Sequence, residues 1–348
     1  MKIWPVAESL RDHVAVLLRL GPRPLLETHA TLLLAQTIMV ATRLGVLESL
    51  SATPLTPAET AARAGTDARA TEKLLGVLAA SGYVRRTGER YGLTADARRW
   101  LLGEGRQSLR DNVLFRFVEW DWIGRLEPFV HSGKPLDIHS EMTGPQWGAY
   151  QRGMRSLAGA LVREVGWRTP VPRSARAMLD IGGAHGLFSV ALCRRHPRLR
   201  AEILDLPEAV ELAAPLVERD GMGDRVTYRP GDALTDDLGV EAFDVVFISN
   251  LLHHFSPAQC QDVVRRAARA LRPGGVLVTQ ELFAISSSRK AGQVAALADL
   301  YFALTSESGT LSVEDLAAWQ RAAGLKPRRP LRFVSFPGSG QQSAVKPR

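Results

Sequence analysis

Three glycines follow an apolar stretch, residues 178–181, and precede a helix that is predicted to continue to about residue 195. Glycines let a ligand lie against the backbone, and the free N–H groups of a helix start can bind it. A dinucleotide-binding turn would need a glycine at 181, where the chain has Ile181. The turn therefore favours a nucleoside with a small zwitterionic tail, such as S-adenosylmethionine. The candidate cofactor-binding residues in this stretch are Asp180, Gly182, Gly183 and Gly186.

Acidic and small residues recur in the turns that follow the next two predicted strands. A strand at 202–205 ends in Asp205, where a carboxylate can bind the two ribose hydroxyls. Asp232 follows a strand at 225–229 and can accept a hydrogen bond from an adenine amino group. Further candidate cofactor-binding residues at strand ends are Asp205, Leu206, Gly231, Asp232, Ala233 and Ser249.

Strands and helices alternate along the second half of the chain. Further strands are predicted at 243–249 and 276–281, and a turn at 271–275 separates the second of these from the preceding helix. This alternation predicts an α/β fold with a doubly wound parallel sheet, whose strands bind ligands at their carboxyl ends. The tail at 336–346 is predicted to add an antiparallel final strand.

Composition and charge exclude several classes of protein. The 348 residues predict about two domains. With only Cys193 and Cys260, the chain can have neither a disulfide framework nor a cysteine-based zinc site. The net charge of +8 comes from dispersed arginine pairs, which are typical of a solvated surface rather than of a nucleic-acid-binding stripe. No apolar run is expected to span a membrane and no cleavage-like site follows the N-terminus, so a cytoplasmic protein is predicted.

The N-terminal region resembles a winged helix. Residues 25–50 predict one or two buried helices, and Thr56 begins a short helix with a proline in its first turn. A second helix at 66–80 and a hairpin at 82–94 complete the pattern. Such a module can bind DNA or dimerise. The second helix has only two basic residues, balanced by two acids, which disfavours DNA binding.

These motifs together resemble the S-adenosylmethionine-dependent O-methyltransferases of the caffeate, hydroxyindole and polyketide-tailoring type. The resemblance covers almost the whole chain and implies a Rossmann-like class I methyltransferase sheet with a winged-helix dimerisation domain, and a homodimer. No metal is predicted, because a magnesium site would need several acids beside the fourth strand, where Asn250 is the only suitable ligand. The implied domains are 1–105 for dimerisation, 106–170 as a helical connector, and 171–348 for the cofactor. The matching segments are 180–186, 204–207, 231–232, 252–256 with Cys260, 271–275 and 323–325.

The resemblance also implies a catalytic pair. It makes His253 the general base, in the segment after the fourth strand of the sheet, and Glu281 the acid that orients it. The implied acceptor is an aromatic small molecule of secondary-metabolite type, which is methylated on a hydroxyl. Candidate residues of its pocket are Met154, Trp147, Tyr150, Asn250 and His254.

Three departures from the family pattern leave alternatives open. His254 stands where the family usually has an aspartate, Thr310 stands where a second acid is expected, with Glu307 nearby, and Ser249 replaces a lysine of plant members. His253 can then be a base or a structural histidine that packs near the cofactor. The alternative functions are C- or N-methyl transfer by proximity without a base, and a winged-helix regulator that senses a ligand.

Overall fold

The computed structural model describes residues 9–18, 20, 22–103, 107–284 and 292–348. The chain forms two compact units, residues 1–117 and 118–348. The three-part division at 105 and 170 stays a prediction.

The N-terminal unit is mainly helical. Its elements are α1 (Leu10–Leu17), α2 (Arg23–Leu25), a π-helical turn (Leu26–Ala30), α3 (Thr31–Arg43), α4 (Val46–Ser49), α5 (Pro57–Ala64), α6 (Ala68–Ala80), β1 (Val84–Thr87), β2 (Arg90–Leu93), α7 (Ala95–Leu101) and α8 (Arg110–Ile123), which continues into the second unit. The predicted cap of α5 is confirmed, because the Thr56 hydroxyl accepts from the Glu59 N–H and the Glu59 carboxylate accepts from the Thr56 N–H.

Helices α5 and α6 are followed by the β1–β2 hairpin, which is the predicted winged-helix order. Leu55, just before α5, pairs with Tyr91 of β2 and so joins the hairpin to the helical part. Tyr91 and Val84 lie in the same core as Leu75 and Leu78 of α6, so hairpin and helices share one apolar interior.

The prediction that residues 25–50 are buried is wrong for their first half. Leu25, Leu32 and Leu33 are 55%, 53% and 56% exposed, whereas Val46 and Leu47 are fully buried. Apolar periodicity identifies a helix face that needs a partner, but it does not say whether that partner belongs to the same chain.

The C-terminal unit alternates helices and strands. Its helices are α9 (Leu126–Ser132), α10 (Ile138–Glu141), α11 (Gly144–Arg168), α12 (Leu187–Arg195), α13 (Pro207–Arg219), α14 (Pro257–Ala270), α15 (Gln293–Thr305) and α16 (Val313–Ala322), with a 3₁₀ turn at Leu252–His254. Its strands are β3 (Ala177–Ile181), β4 (Arg200–Asp205), β5 (Val226–Pro230), β6 (Phe243–Ser249), β7 (Leu271–Leu282), β8 (Lys326–Pro327), β9 (Leu331–Arg332) and β10 (Ser339–Val345).

One sheet organises this unit, in the order β5-β4-β3-β6-β7-β10-β8, with β9 also paired to β10. Strands β3 to β7 are parallel, and β10 runs antiparallel to β7, which confirms the predicted final strand. Met178 and Leu179 of β3 belong to core clusters on opposite faces of the sheet. Burial on both faces is what makes the parallel strands continuously apolar.

The turn predicted at 271–275 is part of a strand. Helix α14 ends at Ala270 and β7 begins at once with Leu271, with an irregular pairing to β6 near Phe243. Gly274 has a φ of 81°, which lets the strand bend there instead of turning.

The strand order reverses between β3 and β6. From β3 the chain proceeds outward through β4 and β5, and it then crosses to β6 and β7 on the other side. At such a reversal the turns after the two central strands diverge and leave a crevice at the carboxyl edge of the sheet. The sequence-predicted cofactor residues follow β3, β4, β5 and β6 at this edge.

Candidate active site

The glycine turn between β3 and α12 packs tightly over Asp180. A Cβ atom at Gly183 would lie 2.6 Å from Oδ2 of Asp180 and 2.8 Å from Cγ2 of Ile203. Asp180 is 1% exposed, and its Oδ2 accepts a hydrogen bond of 2.5 Å from the Ser189 hydroxyl. Its Oδ1 has no hydrogen-bond partner among the described residues. The turn therefore places the backbone of Gly183, which has no side chain, next to a carboxyl group whose Oδ1 has no hydrogen-bond partner among the described residues.

Asp205, at the end of β4, closes the other side of the turn. Its Oδ2 accepts from the Ala184 N–H at 2.6 Å, and its Oδ1 accepts from the Leu206 N–H at 2.8 Å. The Asp205 carbonyl accepts from the Gly231 N–H at 2.8 Å. These bonds link the turns after β3, β4 and β5, so Leu206 and Gly231 lie beside the predicted ribose-binding acid.

Asp232 and Ala233 lie in the turn after β5. The Asp232 carboxylate accepts from the Leu234 N–H, and its own N–H donates to Asp236, each at 2.8 Å. Ala233 is buried in the core. Asp232 thus already has a backbone partner, which fixes the orientation of its carboxylate.

Sequence reasoning missed two side chains that hold the glycine turn. Arg155 of α11 donates to the His185 carbonyl at 3.0 Å and pairs with Asp220 at 2.7 Å. The Tyr228 hydroxyl donates to the Ala184 carbonyl at 2.8 Å. No local pattern identifies either residue, because both reach the turn from elements distant in sequence. His185 caps the turn locally, because its Nδ1 accepts from the Leu187 N–H at 3.1 Å.

Replacing Arg155 by methionine is expected to weaken S-adenosylhomocysteine binding about tenfold, since charge-assisted hydrogen bonds contribute roughly 1.5–3 kcal/mol. The variant loses a bond that fixes the cofactor turn and leaves Asp220 without its arginine. Titration calorimetry measures the affinity, with Arg152→Met, an exposed arginine of the same helix, as the matched control. Unchanged affinity in Arg155→Met would show that the turn does not depend on this bond.

Both acids of the turn have raised pKa values. Burial raises the pKa of Asp180 to about 7, the Ser189 hydrogen bond opposes this shift, and the charge of Asp205 adds to it. Burial also raises the pKa of Asp205 to about 6, against two backbone hydrogen bonds. A positively charged ligand would relieve the cost of ionising both groups. S-adenosylmethionine, with its sulfonium and ammonium groups and its ribose hydroxyls, fits these two carboxylates, of which Asp180 has an oxygen without a hydrogen-bond partner among the described residues.

The raised pKa of Asp180 predicts a pH dependence of stability. A folded-state pKa above the ordinary 3.8 gives a stabilising contribution that is complete below pH 3.8 and is lost as the pH rises to about 7. The Asp180→Asn variant cannot ionise there, so its free energy of unfolding should rise relative to the parent between pH 4 and pH 7. Urea denaturation across this range measures the difference. The exposed Asp96→Asn change serves as the control, and a free-energy difference for Asp180→Asn that does not change with pH would refute the prediction.

His253 and Glu281 form a buried pair at the carboxyl edge of the sheet. His253 lies in the 3₁₀ turn after β6 and Glu281 near the end of β7. Nδ1 of His253 is 2.8 Å from Oε2 of Glu281, and the two side chains are 5% and 2% exposed. Oε1 of Glu281 accepts from the N–H groups of Leu251 and Leu252 at 3.2 and 3.0 Å. One carboxylate therefore holds both the imidazole and the turn that carries it.

The pair fixes the tautomer of His253. A carboxylate can only accept, so Nδ1 must donate its proton to Glu281, which leaves Nε2 unprotonated in the neutral ring. An unprotonated Nε2 can take a proton from a neighbouring hydroxyl.

Rings surround this pair. The Phe302 ring packs edge-on to His253 with 4.6 Å between centroids, and the His254 ring lies 4.1 Å from His253. His139 of α10 contacts His254 at 4.5 Å. His139 also packs against two predicted pocket residues of α11, Trp147 at 5.5 Å and Tyr150 at 5.7 Å. Sequence reasoning missed His139, which lies in no motif.

The remaining predicted site residues are Met154, Ser249 and Asn250, which lie on α11, at the end of β6 and immediately after β6. Met154 is half-buried on α11, one turn after Tyr150. The Ser249 hydroxyl accepts from the Gln280 side chain at 3.0 Å and from that of Asn250 at 3.3 Å. Asn250 has a φ of 49°, which places its backbone in the left-handed region immediately after β6.

The two positions near the expected second acid do not join the His253–Glu281 pair. The Thr310 hydroxyl donates to Asp299 of α15, and Glu307 is exposed. Within the described part of the chain, no group of three or more histidine, cysteine or acidic side chains could hold a metal ion.

The unit has a sheet of the class I methyltransferase type, a glycine turn, acids at the strand ends and a buried His–Glu pair. These are features of a small-molecule methyltransferase. A family model described as an O-methyltransferase domain matches residues 148–325, just over half of the chain. A second model, described as an O-methyltransferase dimerisation domain, matches residues 26–103. The chain belongs to the O-methyltransferase family.

Named relatives agree with this assignment. A 3-hydroxy-5-methyl-1-naphthoate 3-O-methyltransferase of Streptomyces sahachiroi is 27% identical over 89% of this chain and 91% of its own length. A 3-amino-4-hydroxybenzoate 4-O-methyltransferase of Streptomyces cremeus is 30% identical over 74% of this chain and 73% of its own. Human N-acetylserotonin methyltransferase, solved in complex with S-adenosylmethionine, has the same fold, with a TM-score of 0.81, 18% identity, and coverage of 94% of this chain and 98% of its own.

The predictions of an S-adenosylmethionine-dependent O-methyltransferase and of its fold class are therefore confirmed, and the dimerisation domain supports the predicted homodimer. The expectation that no segment could span a membrane needs a qualification. By length and composition alone, Arg23–Arg43 could cross one. This segment lies largely within the dimerisation match, so its exposed apolar face is better explained by subunit contact. A cytoplasmic location stays a prediction.

Proposed function

We propose that this protein transfers the methyl group of S-adenosylmethionine to a hydroxyl of an aromatic small molecule, with His253 as the general base and Glu281 as the residue that orients it. The observation that carries the proposal is the 2.8 Å bond between two almost fully buried side chains at the carboxyl edge of the sheet. Burying a carboxylate and an imidazole costs free energy unless they are paired. A buried pair at this edge of the sheet therefore suggests a functional role.

The residues that would hold the cofactor surround the crevice at the same edge. The backbone of the glycine turn and Asp180 would face the methionine part, Asp205 the ribose and Asp232 the adenine. The Leu206, Gly231, Ala233 and Ser249 positions complete the candidate site. The cofactor supplies a methyl carbon that is already activated by the sulfonium, so the protein has to supply orientation and a base.

His253 is suited to accept a phenolic proton. A phenol has a pKa near 10, so at neutral pH it arrives protonated and must lose its proton as it attacks. Nε2 of His253 would take this proton, and Glu281 would stabilise the imidazolium that forms. The rings of Trp147, Tyr150 and Phe302 would contact the flat faces of an aromatic acceptor. The names of both curated relatives describe methylation of aromatic hydroxyls, which supports this acceptor class.

The proposal is tested by Glu281→Gln. A glutamine keeps the size of the side chain but not its charge, so the imidazolium loses its stabilisation. The value of kcat should fall about 10- to 100-fold, which is less than the roughly 10²- to 10⁴-fold contribution of a general base itself. Initial rates with 2,3-dihydroxynaphthalene measure the effect, and the exposed Glu314→Gln serves as control. The product should be a base-stable methyl ether. A C-methylated product, or full activity in Glu281→Gln, would refute the proposed chemistry.

A further inference from the structure

A cavity of about 460 Å³ opens beside His254, the residue that follows His253 in the chain. His139 and His254 line its wall, and Lys134, Asp137 and Glu307 lie exposed around it. The volume lies within the range of small-molecule sites, which is about 300–1,000 Å³. The cavity can therefore take part of a ligand as large as a bicyclic aromatic compound.

The cavity reaches within one side chain of the base. The His254 ring lines it and lies 4.1 Å from the His253 ring between centroids. His139 meets His254 edge-on at 4.5 Å, so the two rings form one continuous polar wall. A ligand whose hydroxyl reached Nε2 of His253 could thus place a neighbouring substituent against this wall.

The two histidines have unused hydrogen-bonding capacity. Neither imidazole hydrogen-bonds another side chain or backbone group in the described part of the chain, although both rings are largely enclosed. Burial, followed by the charge of His253, lowers the pKa of His139 to about 4 and that of His254 well below 6.5. Each ring is therefore neutral at pH 7 and offers one N–H donor and one nitrogen acceptor.

The charges around the cavity disfavour an anion. Asp137 and Glu307 carry two negative charges against the single positive charge of Lys134. The neutral imidazoles do not offset this excess. A carboxylate in the cavity would have to lose water without meeting a buried cation, which is unfavourable.

We propose that this cavity is a second acceptor subsite, in which His254 and His139 select acceptors with an uncharged hydrogen-bonding substituent, a hydroxyl or a carbonyl, beside the hydroxyl to be methylated. The inference rests on the proposed function and narrows its acceptor class. It also separates this chain from the two relatives, whose named acceptors carry carboxylates.

The test compares three naphthalene probes by titration calorimetry against protein saturated with S-adenosylhomocysteine. We expect 2,3-dihydroxynaphthalene to bind about tenfold more tightly than 2-naphthol, the effect of one well-placed hydrogen bond in a buried site. We expect 3-hydroxy-2-naphthoate to bind no more tightly than 2-naphthol. In His254→Phe the advantage of the second hydroxyl should disappear while 2-naphthol still binds. His254→Asn should keep part of the advantage, and His131→Phe, at an exposed histidine of α9, should keep all of it.

Equal affinities for the first two probes, tightest binding of the carboxylate, or no binding of any probe would overturn the subsite. So would a loss of 2-naphthol binding in both His254 variants while S-adenosylhomocysteine still binds. Failure of the proposed function gives a different result. In that case 2,3-dihydroxynaphthalene would bind with the predicted preference, but the wild-type protein would not convert it to a methyl ether.

Discussion

Replacing His253 by asparagine is expected to lower kcat about 10²- to 10⁴-fold, the usual contribution of a general base. The asparagine amide can still donate to Glu281 from nearly the position of Nδ1, but the group corresponding to Nε2 is gone. Binding of S-adenosylhomocysteine should change little, because the Asp205 side of the cofactor site is untouched. Steady-state kinetics and calorimetry on the same preparations measure the two quantities.

The acceptor series separates a base from a packing histidine. A more acidic phenol needs less help to lose its proton, so the variant should lose less activity with 4-nitrocatechol than with catechol. An equal loss with both acceptors, together with a lower melting temperature, would mean that His253 is structural. The exposed His131→Asn should match the wild type in every measurement.

Replacing Gly183 by alanine is expected to weaken S-adenosylhomocysteine binding by about two orders of magnitude and to lower the free energy of unfolding by roughly 1–3 kcal/mol. The new methyl group would lie 2.6 Å from Oδ2 of Asp180 and 2.8 Å from Cγ2 of Ile203. Asp180 cannot swing away, because it is buried and held by Ser189. The turn itself must therefore move, and with it the backbone that is proposed to contact the cofactor.

Calorimetry with S-adenosylhomocysteine and urea denaturation measure the two effects of Gly183→Ala. Gly76→Ala is the matched control, because a Cβ at Gly76 meets nothing within 4 Å and the residue lies inside helix α6. That control should stabilise the protein by about 1 kcal/mol. Wild-type affinity in Gly183→Ala would show that the turn does not approach the cofactor.

The placement of the candidate cofactor residues at one edge of the sheet could be predicted from the sequence because its signals are local. The glycine turn and Asp205 each follow a short apolar strand, and strand ends meet at one edge of a parallel sheet whatever the details of packing. The cap at Thr56 was equally predictable, since the Thr56 and Glu59 pattern lies within one helical turn.

The side chains that hold the glycine turn and line the cavity could not be predicted in this way. Arg155 reaches the His185 carbonyl across 30 positions, and His139 meets His254 across more than 100. Such contacts depend on how α10 and α11 pack over the sheet, and the periodicity of apolar residues in the sequence does not predict them. The exposed leucines of α3 show a related limit, because a single chain's pattern cannot tell an intramolecular core from a surface that a second subunit covers.

The Glu281 carboxylate accepts three N–H groups, one from the imidazole of His253 and two from the backbone of the turn that carries it. The orientation of the imidazole and the shape of its loop consequently depend on a single side chain. A substitution at position 281 is therefore expected to shift the imidazole and its loop together. In the proposed mechanism, the range of acceptors would change more readily through side chains of α10, α11 and α15, because the hydrogen bonds described for the Glu281 carboxylate come from His253 and from the backbone of its turn.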